Sequence, residues 1–114
     1  EFRRVLFRSV LLLCRRLGVG VVAMKPLVGG ELLKVGKKVK IASYKTGWRS
    51  MTVNVPQYSN PSRLLNYTLC QQGVCTAVTG VSSLEEITAN LQLFEASKSE
   101  KDYSLLIESI RNAE

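Results

Sequence analysis

Residues 74–94 read VCTAVTGVSSLEEITANLQLF. The first six, VCTAVT, form a short apolar run rich in β-branched residues, which suits a strand. Gly80 follows as a turn residue. Ser83-Leu84-Glu85-Glu86 then has the spacing of a capping box, in which a serine hydroxyl and a glutamate three residues later satisfy the free N–H groups of a helix start. Leu84, Ile87, Leu91 and Phe94 recur at helical spacing. A strand that leads through one tight turn into a helix is half of a parallel βα repeat.

Upstream, the same grammar repeats. Residues 60–61, Asn-Pro, start a helix: asparagine caps, and proline is preorganised for the first turn. Leu64, Leu65 and Leu69 make its apolar face, and Gly73 stops it. Residues 10–17 read as the end of another helix, with Arg15 and Arg16 in the last turn and Gly18 as its C-terminal cap. Residues 19–24 (VGVVAM) follow as a continuous apolar run, expected to be a strand buried on both faces. Lys25-Pro26 ends it, and residues 26–30 form a loop. Residues 31–35 suit a helical turn. Residues 36–55 are rich in lysine, contain Gly36, Gly47 and Trp48, and are expected to be an extended loop, at most with a short hairpin. A last helix is expected over residues 100–111, with Tyr103, Leu106, Ile107 and Ile110 on one face.

The order is thus helix, strand, long loop, helix, strand, helix, helix, with the two strands parallel neighbours. Two strands do not cover one another on both faces. The expectation is a truncated α/β domain, because a (β/α)8 barrel takes roughly 250 residues and this chain has 114.

Residues 1–9 (EFRRVLFRS) stand apart. They resemble the conceptual translation of a sequencing adapter and are expected to be an artefactual tag without fold information. A signal peptide fits poorly, since the apolar stretch is short and Cys14 is followed at once by Arg15 and Arg16. The chain carries a formal net charge of +7. Its basic residues crowd into positions 10–63, where Glu31 is the one acid. Such a half fits a solvated face, a phosphate-bearing cofactor, a membrane surface or a nucleic acid. Cys14, Cys70 and Cys75 form no CxxC, and the sequence has no histidine; buried thiols in a reducing cytoplasm are expected, not a disulfide framework or a metal site. No apolar run approaches the roughly 20 residues that span a bilayer.

Two stretches carry a family resemblance. Residues 13–33 (LCRRLGVGVVAMKPLVGGELL) resemble the seventh-strand region of aldo/keto reductases, where a helix ending in glycine leads into a strand and a Pro-Leu-x-Gly-Gly loop. Residues 65–94 resemble the final βα unit of the same family, with the string G-x-S-S-x-E-E-x-x-x-N from Gly80 to Asn90. The resemblance implies that residues 10–94 are the last two βα units of a (β/α)8 TIM barrel, with a long loop at about 31–58. The tail, residues 95–114, is similar to a bacterial subgroup in which an iron–sulfur segment follows the barrel. It implies a C-terminal helix leading toward such an extension.

The family reduces aldehydes or ketones to alcohols by hydride transfer from NADP or NAD. By the resemblance, its catalytic Tyr, Lys, Asp and His lie in an earlier half of the barrel. No catalytic residue is therefore assigned here, and the fragment is expected to be inactive by itself. Tyr44, Tyr58, Tyr67 and Tyr103 are not promoted to that role. The cofactor-binding residues implied are Lys25, Pro26, Leu27, Gly29 and Gly30 in the first loop, and Gly80, Ser82, Ser83, Glu86 and Asn90 in the second. Glycines let backbone N–H groups approach a pyrophosphate, Lys25 adds charge, and a helix N-terminus favours anions. Glu86 stands where a cation often holds the 2′-phosphate, and Ala89 where a glutamate often contacts adenine, which leaves NADP specificity open. The implied partners are the nicotinamide cofactor and a small carbonyl substrate. The competing class is a small basic nucleic-acid-binding module built on Lys34, Lys37, Lys38, Lys40, Lys45 and Arg49. No helix-turn-helix, zinc-finger or RNA-recognition string supports it.

Overall fold

The computed structural model describes residues 2–43, 49–106 and 108, with side chains described from Ser9 to Lys40 and from Thr52 onward within that set. Helix α1 (Phe2–Arg16) ends in paired hydrogen bonds: Val19 N–H donates to Cys14 O and Gly18 N–H to Arg15 O, with Gly18 at φ 67°. That is the Schellman ending the glycine foretold. The adapter-like stretch prolongs this helix from Phe2 onward. A stretch not selected to fit a core is expected either to extend from the fold or to prolong the first helix, and the second is found.

Strand β1 (Val21–Met24) pairs in parallel with β4 (Val74–Val78), as expected, with Ala23 opposite Ala77 and Met24 opposite Val78. Burial on both faces is not found. Met24 is 78% exposed and Val78 55%. Helix α2 (Pro61–Leu69) packs against β4, while side chains on the other face of the pair stay open to solvent. A two-stranded parallel pair presents more apolar surface than one covering layer hides. Among the described residues the sheets do not close into a barrel.

The long connection is more ordered than its composition suggests. A 3-10 segment (Val28–Leu33) leads into β2 (Lys38–Ser43), which pairs antiparallel with β3 (Arg49–Asn54). This hairpin is the more ordered of the two outcomes expected for residues 36–55, an extended loop or one that holds a short hairpin. Val39 faces Val53 across the ladder, and they are 5% and 0% exposed. Lys38, Lys40, Thr52 and Asn54 alternate with them and are exposed, so the period of two is that of a half-buried ribbon. The buried valines join Leu27, Leu32, Val55, Leu64, Leu65, Leu93 and Leu106 in one core. That core sits between the hairpin, α2 and the C-terminal segment, not on the parallel sheet.

Asn60 caps α2 by accepting from Arg63 N–H at 2.8 Å, with Pro61 in the first position. Helix α3 (Leu84–Leu91) starts at Ser83, whose hydroxyl accepts from Glu86 N–H at 3.2 Å. The expected helix over residues 100–111 starts later. Ser97 and Glu100 cap one another reciprocally around a single turn, and helical residues resume at Ser104 through Leu106 and at Glu108. Asp102 accepts from both the N–H and the hydroxyl of Ser104, which holds its carboxyl below the usual aspartate value. Ile107 and Ile110 of the expected face lie outside the described residues.

Candidate functional site

Because β1 and β4 run parallel, their C-terminal ends lie at one edge, and the loops that leave them meet. Between those loops is a cavity of about 660 Å³, within the roughly 300–1,000 Å³ typical of small-ligand sites. One wall is Met24, Lys25, Pro26, Leu27, Gly29, Gly30 and Leu33. The other is Val78, Thr79, Gly80, Val81, Ser82, Glu86, Ala89 and Asn90, and Pro61 of α2 joins the lining. Nine of the ten cofactor residues expected from the sequence line this one cavity. Ser83, the tenth, does not line it and serves as the cap of α3.

The first wall has an unusual backbone. Lys25 and Val28 have φ of 53° and 54°, and Gly29 and Gly30 have 64° and 86°. The left-handed region is strained for a β-branched residue such as Val28, and such outliers concentrate at binding sites. A Cβ at Gly29 or Gly30 would meet nothing within 4 Å. Their glycine requirement is therefore one of backbone angle, not crowding. Gly30 N–H donates to Leu27 O at 3.0 Å, so that amide is already engaged.

The second wall is tied together by its own polar groups. Ser82 N–H donates to Glu86 Oε2 at 2.6 Å, and Ser82 Oγ lies 3.2 Å from both carboxylate oxygens. The capping box is thus displaced by one residue, since the carboxylate holds Ser82 and not the backbone of Ser83. Asn90 Nδ2 donates to Thr79 Oγ1 at 3.2 Å, which pins α3 to the end of β4. Lys25 and Glu86 are the charged residues of the lining, one on each wall.

No family model, curated protein or solved structure matches the chain.

The chemistry of the site rests on its residues. Sequence reasoning passed over Leu33 and Pro61, which reach the cavity through tertiary packing and carry no local signal. Thr79 and Val81 flank Gly80, and Ala89 shares a helix face with Glu86, so adjacency and helical spacing point to them. No described tyrosine lines the cavity. Tyr58 donates its hydroxyl to Leu105 O at 3.0 Å, and Tyr67 stacks edge-on against Tyr103 at 5.4 Å. Desolvation first, then the neighbouring Cys70, raises Tyr103 above the usual phenol value. Tyr44 lies outside the described residues.

Of the basic run, Lys34, Lys37, Lys38 and Lys40 have described side chains, and all four are exposed. Lys34 is paired with Glu31 at 2.6 Å, Lys38 and Lys40 share the open face of the hairpin, and Lys45 lies outside the described residues, as does the side chain of Arg49. Among the described residues no group of three or more His, Cys, Asp or Glu is placed to hold a metal, and no helix is long and apolar enough to cross a membrane. The three cysteines are free; Cys14 is half-buried, whereas Cys70 and Cys75 are exposed rather than buried as expected. A shallower depression of about 350 Å³ lies at the opposite, N-terminal ends of the strands, against Arg15, Gly18 and Cys75.

Proposed function

We propose that this chain is the cofactor-binding end of an NAD(P)-dependent aldo/keto reductase, comprising the last two βα units of its barrel. One observation carries the reading: the cavity opens at the C-terminal edge of two parallel strands and gathers nine of the ten residues singled out from the sequence. Ligand sites of parallel α/β folds lie at that edge, because the βα loops there are free to vary while the strands hold them in place.

The cavity suits the non-reacting part of a dinucleotide. Apolar walls from Met24, Leu27, Val78 and Val81 accept a flat base, and the cation of Lys25 favours the pyrophosphate. Asn90 offers an amide to adenine or ribose. When bound, the dinucleotide supplies the hydride. The groups that move the proton belong, by the family resemblance, to an earlier part of the barrel. This chain's residues therefore bind and orient, and the chain alone is expected to reduce no carbonyl substrate.

The test is fluorescence titration with NADH and NADPH. Asn90→Ala should weaken the preferred dinucleotide by about 1–2 kcal/mol, the scale of one hydrogen bond lost at a partly buried site. Since Asn90 also pins Thr79, a thermal melt of the same variant separates lost contact from lost fold. The reading fails if the variant stays folded and its Kd moves by less than about twofold, roughly 0.4 kcal/mol. A salt-dependent gel shift with DNA would favour the nucleic-acid class instead.

A further inference from the structure

We infer that the cavity, together with the open face of the β1–β4 pair, takes a medium-chain alkyl carboxylate, its head at Lys25 and its tail along Met24 and Val22. The inference goes beyond the dinucleotide reading and does not depend on it, since a chain that binds no dinucleotide can still bind an acyl anion. Side chains two apart on a strand share a face. Met24 and Val78 are opposite one another in the parallel register, and both line the cavity. Val22 and Thr76, likewise opposite one another, come next on the same face and lie outside the lining. All four are exposed. An apolar track therefore leaves the cavity and runs back along the strands. A compact flat base leaves that track bare, whereas a flexible alkyl tail covers it and removes its apolar surface from water.

Charge sets where the head lies. Of the two charged residues in the lining, Glu86 is already engaged by the N–H and the hydroxyl of Ser82, at 2.6 and 3.2 Å. Lys25 is exposed, and among the described residues its ammonium makes no ion pair or hydrogen bond. It follows Met24 directly, so an unspent cation stands at the end of the track that opens into the cavity. Leu27, Leu33 and Val81 surround that end with apolar side chains. An anionic head with an apolar tail satisfies both features at once. A neutral apolar molecule leaves the ammonium unused, and a compact anion leaves the sheet face bare. The ion pair is open to solvent and adds little by itself, so most of the affinity comes from the methylenes of the tail.

Isothermal titration calorimetry of the full chain with sodium octanoate and sodium dodecanoate, both below micelle formation, provides the test. Dodecanoate should bind one to one and at least about tenfold more tightly than octanoate, because each of its four further methylenes adds about twofold on a track covered from one side. Lys25→Glu replaces attraction by repulsion and should weaken dodecanoate at least about tenfold. Met24→Gln keeps the length of the side chain but interrupts the track, and should weaken dodecanoate about fivefold. Both side chains are exposed, so circular dichroism should show both variants folded. Absence of saturable dodecanoate binding at about 1 mM, or equal affinity for the two chain lengths, overturns the inference. Undiminished binding by Lys25→Glu also overturns it, since the tail then adsorbs without a site for the head. The chain-length comparison uses wild type alone and decides the matter if a variant fails to fold. Titration of the same wild-type sample with NADH reads the dinucleotide proposal separately, so failure of one is told apart from failure of the other.

Discussion

Replacing Arg63 by alanine is expected to lower stability by about 2–4 kcal/mol and to loosen the C-terminal segment from the core. Arg63 donates through Nε to Asp102 O at 2.9 Å, and through its two terminal nitrogens to Tyr58 O and to Ser99 O, the latter at 3.3 Å. Its guanidinium also lies over the Tyr58 ring at 5.9 Å. One planar fork therefore joins α2 to two separate stretches of chain. Asn66 adds a fourth tie, donating to Lys101 O at 2.9 Å. The segment so held delivers Leu106, which is 1% exposed, into the core. Loss of the fork leaves carbonyls short of partners and uncovers that leucine. Lysine should not rescue it, because a single ammonium cannot reach three diverging carbonyls. Urea denaturation and limited proteolysis at residues 95–106 provide the check. A stability change within about 0.5 kcal/mol, as for an ordinary surface substitution, would refute the clamp.

Gly73→Ala should cost a comparable amount, about 2–4 kcal/mol, by a different route. Gly73 has φ +95°, where an L side chain is strained, and a Cβ there would lie 2.8 Å from Leu11 O. The obstacle is helix backbone, so no rotamer change relieves it. The residue joins the end of the α2 turn to β4 beneath α1, and displacing it pushes on the register of β4 against β1. Gly18→Ala separates the two effects. It shares the positive φ, at +67°, but meets nothing within 4 Å, and should cost only about 1 kcal/mol. Equal melting shifts for the two variants would show that angle alone matters and that the contact with α1 is slack.

Much of this fold was written locally. Asn60-Pro61, Ser83 with Glu86, and Gly18 each mark an element end by supplying a partner for helix-terminal groups or an angle only glycine takes freely, and all three ends fall as read. The parallel pairing followed from strands alternating with helices. The hairpin stands in the sequence only as an option beside an extended loop, for a physical reason. Its period of two is present in Val39 and Ile41, and again in Met51, Val53 and Val55, but the intervening lysines are equally at home on a loop, and no short turn motif marks the bend. Only the shared core with Leu32 and Leu64 makes the alternation decisive. The C-terminal helix starts later than its apolar spacing suggests because Ser97 and Asp102 both offer caps, and the first closes a single turn. Burial of the parallel pair was misjudged because apolar content alone does not say which face a neighbouring layer reaches. Within the candidate site, the loop residues were legible through the family resemblance, whereas Pro61 and Leu33 depend on how α2 and the 3-10 segment pack.

The two walls of the cavity come from stretches far apart in the chain, one after β1 and one after β4. An unfolded chain does not hold them together. Any ligand that touches both therefore binds the native state alone, and mass action converts its occupancy into resistance to melting. At a free concentration about 100 times its Kd, such a ligand adds roughly 2.7 kcal/mol. That is of the same order as the loss expected from removing the Arg63 clamp. The melting temperature of this chain is then a property of its solution as much as of its sequence.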